Sequence, residues 1–71
     1  IIVSQGKTNI LNFDNINIIG LALKGEIKAR LGIDDYVLLG KYKTRERAEE
    51  VLRDVVHWYE IDAKVYNMPE D

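Results

Sequence analysis

Residues 39–52 read LGKYKTRERAEEVL, and this stretch decides the architecture. A β-rich run ends at Tyr42 and a helix begins after Thr44. Lys41, Lys43, Arg45 and Arg47 crowd the joint, opposed only by Glu46. Thr44 suits the N-cap, because its hydroxyl can accept from an orphan N–H of the first helical turn. The reciprocal capping box is missing, since Arg47 stands where Glu or Gln would be needed. Ala48, Val51, Leu52, Val55 and Tyr59 then recur at spacings of three and four, the apolar stripe of an amphipathic helix over about 45–60. Glu49 precedes Arg53 by four residues, a mildly favourable pair, while Glu46, Glu50 and Asp54 repel at the same spacing. Nothing terminates the helix sharply, so its end falls between Glu60 and Ala63.

Upstream of the joint the chain reads as strands separated by turns. Ile1–Ser4 is a short β-rich run, and Gln5-Gly6-Lys7 is a turn in which Gly6 supplies the positive φ. Thr8–Phe13 reads as a second strand and Asp14-Asn15 as a second turn. Ile16–Leu23 is the most apolar strand. Lys24-Gly25 is a tight reversal. In Glu26–Leu31, Ile27, Ala29 and Leu31 alternate with Lys28 and Arg30, as in a strand with one face in water. Gly32 to Asp35 is a turn, and Tyr36–Tyr42 is the last strand of the run. Gly40 inside it suggests a bulge, which would bring Leu39 and Tyr42 to one face. The expected fold is α+β, an antiparallel β-meander of four to five strands followed by one C-terminal amphipathic helix. The tail over 63–71 is short, with Ala63–Met68 either a further strand or extended. Pro69 ends regular structure, and Glu70 and Asp71 are expected to be loose.

With 71 residues the chain makes one domain, 1–71, whose small core benefits from a staple. Cysteine is absent, which removes disulfides and thiolate metal sites and leaves oligomerisation as the common remaining staple. Apolar residues at 46% and charged residues at 31% are the balance of a soluble globular domain. No apolar run reaches the roughly 20 residues of a membrane span. The opening Ile1-Ile2-Val3 run is too short for a signal h-region and has no small-residue cleavage site after it. No Asn-x-Ser/Thr sequon occurs either, so a cytoplasmic protein without a membrane partner is expected. The net charge of −2 is unevenly spread. Residues 1–23 are neutral, 24–47 carry +3 and 48–71 carry −5. Such asymmetry bears on association and anion binding, although a solvated surface explains it as well.

The apolar side chains outnumber what one helix can cover. A helix of about sixteen residues is roughly 24 Å long and shelters one face of a small sheet. Yet one face of Ile16–Leu23 carries Ile16, Ile18, Gly20 and Ala22, and the other carries Asn17, Ile19, Leu21 and Leu23. Trp58 lies off the stripe, beside Val55 and Ile61. Uncovered apolar surface of this kind marks interaction sites. The alternative is that strand curl and the C-terminal segment hide these residues within one molecule.

Residues suited to chemistry are few. His57 is the one histidine. Asp54, His57 and Glu60 form D-x-x-H-x-x-E, but spacings of three drift around a helix, and a surface histidine explains the pattern better than a ligand. Ser4 lies in an expected strand with no nucleophile elbow. Asp34-Asp35 fits turn chemistry better than paired carboxylates across a cleft. The glycines fit no phosphate-binding fingerprint. Lys41, Lys43, Arg45 and Arg47, with Lys28 and Arg30 on a neighbouring strand, flank a helix N-terminus that favours anions. Against nucleic acid stand a pI near 5.3 and the absence of interleaved stacking aromatics. Pairing with acidic side chains is the simplest reason for the basic cluster.

The stretches IIVSQGKTNILNFDNI at residues 1–16, LGKYKTRERAEEVL at 39–52 and YNMPED at 66–71 together resemble a group of small proteins of Gram-positive bacteria and their phages. The likeness covers most of the chain. It lies in a strand-rich N-terminal half, an LG-x-Y-x-T-x-E-x-A-x-E-V-L junction and a tail ending in Met-Pro. It implies a compact cytosolic domain, phage-associated in some settings, and no assigned activity. No catalytic residue is carried over. Gly40, Thr44, Ala48 and Leu52 take structural roles in that likeness.

The expectation is therefore a small interaction or oligomerisation module, not an enzyme, with no cofactor and no metal. Ile16, Ile18, Trp58 and Tyr59 are the expected apolar contacts of a homo-oligomer or protein partner, with the basic cluster as a polar rim. The other reading is a nucleic-acid or phosphate-binding accessory protein acting through Lys41, Lys43, Arg45 and Arg47.

Overall fold

The computed structural model describes the backbone of residues 1–71 and every side chain except that of Leu23. The fold is α+β: six strands in two small sheets, and one helix. The strands are β1 (Ile2–Val3), β2 (Ile10–Leu11), β3 (Ile18–Ala22), β4 (Glu26–Arg30), β5 (Tyr36–Lys41) and β6 (Tyr66–Asn67). The helix α1 spans Arg45–Glu60, as its periodicity predicts.

The larger sheet is an antiparallel meander in the order β3-β4-β5. In β4 the alternation holds: Ile27 and Ala29 are fully buried while Glu26, Lys28 and Arg30 are partly exposed. The β3–β4 reversal runs through Lys24, at φ 59°, and Gly25, at φ 79°. Glycine is required at position 25, because a Cβ there would lie 2.6 Å from the backbone carbonyl oxygen of Tyr42. The bulge expected near Gly40 is present. Ile27 pairs with Gly40 and Lys28 with Leu38, so Leu39 is the extra residue. The shift lets Leu39 and Tyr42 both enter the core.

The meander is not a single sheet. Its first two strands are only two residues long and leave it for a second sheet, in the order β2-β1-β6, with β1 antiparallel to β2 and parallel to β6. Nor is the helix the last element, since β6 follows and joins β1. The turn between β1 and β2 takes its positive φ at Lys7 (59°) and not at Gly6. Phe13–Asn15, expected to end and follow a strand, is a short 3-10 turn capped by Asn12, whose Oδ1 accepts from Asp14 N. The strand expected over residues 16–23 is confined to Ile18–Ala22, and the side chain of Leu23 lies outside the described residues.

The two sheets meet at the bulge. The Gln5 N–H donates to Leu39 O at 2.7 Å, and Gln5 Oε1 accepts from Lys41 N at 2.8 Å. The tail is tied to the same place. Tyr42 Oη donates to Pro69 O at 2.8 Å, and the Lys43 N–H donates to the Asp71 carboxylate, so Asp71 is not loose. Ile27, Ala29 and Leu39 of the larger sheet, Ile2 and Tyr66 of the smaller, and Ala48, Val51 and Val55 of α1 share one buried core. Among the described residues, no helix is long and apolar enough to cross a membrane.

Candidate functional site

The helix starts beside the Leu23–Gly25 turn and runs back along the inner face of β3 and β4, so it is antiparallel to β3. Its core stripe, Ala48, Val51 and Val55, leaves two flanks. On one flank β6 closes the structure. Tyr66 Oη donates to Asp54 Oδ2 at 2.8 Å, and the Trp58 ring lies 6.2 Å from the Tyr66 ring. Among the described residues, no strand lies against the other flank. There Leu52, Val55, Val56 and Tyr59 of the helix face Ile19 of β3, with Phe13, Ile16 and Asn17 at the far end. The result is an apolar groove that contains no charged side chain. Val56 is 51% exposed and Tyr59 60% exposed on it, and Tyr59 packs on Phe13 with ring centroids 5.0 Å apart.

The groove opens beside the free edge of β3, which among the described residues pairs only with β4. Beyond that edge the outer face of the larger sheet is also open. Cross-strand rows there run Ile18–Arg30–Tyr36 and Gly20–Lys28–Leu38. Ile18, Tyr36 and Leu38 are exposed, but the central strand of this face is charged.

The four residues expected to make apolar contacts are therefore distributed. Ile16 and Tyr59 come together in the groove. Ile18 is on the opposite face of β3. Trp58 is on the opposite flank of α1, 38% exposed, with its ring beside that of Tyr66. Successive helical residues diverge by about 100°, so Trp58 and Tyr59 cannot serve one surface. Val56 and Phe13, which complete the groove, were not among the expected contacts. The signal for Val56 was a valine on the polar side of an otherwise regular stripe.

The basic cluster is dispersed by local partners. Thr44 caps the helix, its Oγ1 accepting from Arg47 N at 3.1 Å. Arg45 Nε meets Glu49 Oε1 at 3.2 Å, and the Arg47 guanidinium carbon lies 5.9 Å from the centre of the Tyr42 ring. The Asp71 carboxylate, hydrogen-bonded at Lys43 N, already brings negative charge to the start of the helix. Lys41 remains exposed at the end of β5.

Residues suited to chemistry have structural partners. Ser4, 2% exposed, brackets the β1–β2 turn: its Oγ accepts from Thr8 N at 3.2 Å and Asn9 N at 3.1 Å. Asp54 accepts from Tyr66, and His57 is exposed beside Trp58. Among the described residues, no group of three or more His, Asp or Glu side chains is placed to hold a metal ion.

No family model, no curated protein and no solved structure matches the chain.

Proposed function

We propose that this protein is a non-enzymatic interaction module whose contact surface is the open flank between β3 and α1. One arrangement supports this reading: an uncharged apolar groove lies directly beside an unpaired strand edge. Apolar side chains and unsatisfied strand N–H and C=O groups both gain from a partner that supplies a strand and side chains together. The matching flank on the other side of the helix is already closed by β6.

The nucleic-acid or phosphate-binding reading through Lys41, Lys43, Arg45 and Arg47 has less support, because Arg45 is paired with Glu49 and Asp71 lies at Lys43 N.

Site-specific photo-crosslinking in the native host tests the proposal. A benzophenone side chain at Val56 should yield a discrete crosslinked protein, whereas the same group at Glu46, on the exposed back of the helix, should not. Equal yields at the two positions, or none at Val56, would overturn it.

A further inference from the structure

Resting on that reading, we infer that the occupant of the open flank is a second copy of this chain, paired antiparallel through β3 with Gly20 opposite Gly20. The first reason is an asymmetry among the sheet edges. Natural sheets protect their edges with charge, proline, bulges, brevity or a cover. Here β2 and β6 are two residues long. β5 is bulged at Leu39, ends in Lys41 and is covered by Gln5. β3, with the sequence IIGLA, has none of these protections. Among the described residues, nothing outside β4 pairs with it along its length.

The second reason is that the strip is self-complementary. Antiparallel pairing centred on Gly20 sets Ile19 against Leu21 of the second copy, and Ile18 against Ala22. On the outer face the position is clear, since a Cβ at Gly20 would meet nothing within 4 Å. Because α1 runs antiparallel to β3 beneath it, the same two-fold axis lays the two helices side by side. Leu52, Val56 and Tyr59 of each copy then face those of the other. An extended peptide could satisfy the strand edge but would leave the helix side of the groove open. A charged peptide would find no ionic partner in the groove.

The product is one six-stranded sheet backed by two helices.

The chain has no cysteine, so Gly20→Cys introduces a single thiol. Directly opposed residues of an antiparallel pair have Cα atoms about 4.5–5.5 Å apart, within disulfide range. Under mild oxidation Gly20→Cys should form a covalent dimer at least about tenfold faster than Glu46→Cys, because the thiols are already juxtaposed. The wild-type chain should be a dimer by size-exclusion chromatography with light scattering, and Val56→Glu should shift it toward monomer. A wild-type monomer at high micromolar concentration would overturn the inference. So would a dimer that Val56→Glu leaves intact, or one in which Gly20→Cys crosslinks no faster than Glu46→Cys. If Val56 instead captures a different protein in the host while the purified chain is monomeric, the interaction-module reading stands and the second copy is excluded.

Discussion

The ring of Tyr42 fills the space that a side chain at Gly40 would need. A Cβ at Gly40 would lie 2.9 Å from both Cε2 and Oη of Tyr42. The ring cannot easily retreat, because it is 2% exposed and its hydroxyl is held by Pro69 O. Gly40→Ala should therefore lower stability by about 1–3 kcal/mol, the range for overpacking a close-packed core. Urea denaturation followed by tryptophan fluorescence would measure it. An unchanged midpoint would mean that the ring moves freely.

The same ring makes stability sensitive to alkali. Burial pushes the Tyr42 hydroxyl up to about 12, with the Arg47 guanidinium opposing and the Asp71 carboxylate adding to the rise. Tyr66 is also raised, by burial and then by the hydrogen bond it donates to Asp54. Unfolded tyrosine ionises near about pH 10. Above that value the folded chain binds more protons than the unfolded chain, so stability falls as pH rises. The contribution of Tyr42 should be complete below about pH 10 and lost by about pH 12. Denaturation midpoints across this range should show the decline, and Tyr42→Phe should flatten it.

The C-terminus of α1 offers a stabilising change. Asp62, at φ 57°, donates its N–H to Tyr59 O, and Ala63 N donates to Trp58 O. This is the Schellman arrangement, with aspartate in the left-handed position usually taken by glycine. Asp62→Gly should raise stability by about 0.5–1 kcal/mol, since glycine adopts that conformation without strain. A lower thermal midpoint would show that the Asp62 side chain makes a compensating contribution.

Ser4 is buried, and its hydroxyl satisfies two turn N–H groups. Ser4→Ala leaves the N–H groups of Thr8 and Asn9 to water, which reaches both because those residues are exposed. The loss should be about 1 kcal/mol, the scale of a net hydrogen bond. Amide exchange at Thr8 and Asn9 should accelerate ahead of the rest of the chain. Uniform acceleration would place the effect in the core instead.

The helix was legible because its signals are local. Thr44 and a stripe of three- and four-residue spacings lie within one segment, and both survive in the structure. The alternation of β4 and the bulge at Leu39 were legible for the same reason. The second sheet was not. β1 and β6 are two residues each and pair across more than sixty positions, so neither has a period to detect. The helix end was hidden because Asp62 does the work for which glycine is the usual marker. Of the four residues expected at an apolar contact, Ile16 and Tyr59 lie together in the groove. Trp58 looked equally uncovered, because nothing in its neighbourhood announces that Tyr66 returns to lie against it.

What the sequence alone determined is the set of elements whose information is contiguous: the helix, the strands β4 and β5 and the reversal at Gly25, whereas the division of the expected four- to five-stranded meander into two sheets is tertiary. Tertiary structure decided which apolar flank stays open. That choice depends on where β6 docks, and docking is a sum of contacts between distant segments, Ile2 with Tyr66 and Val3 with Asn67, that no single stretch of chain encodes.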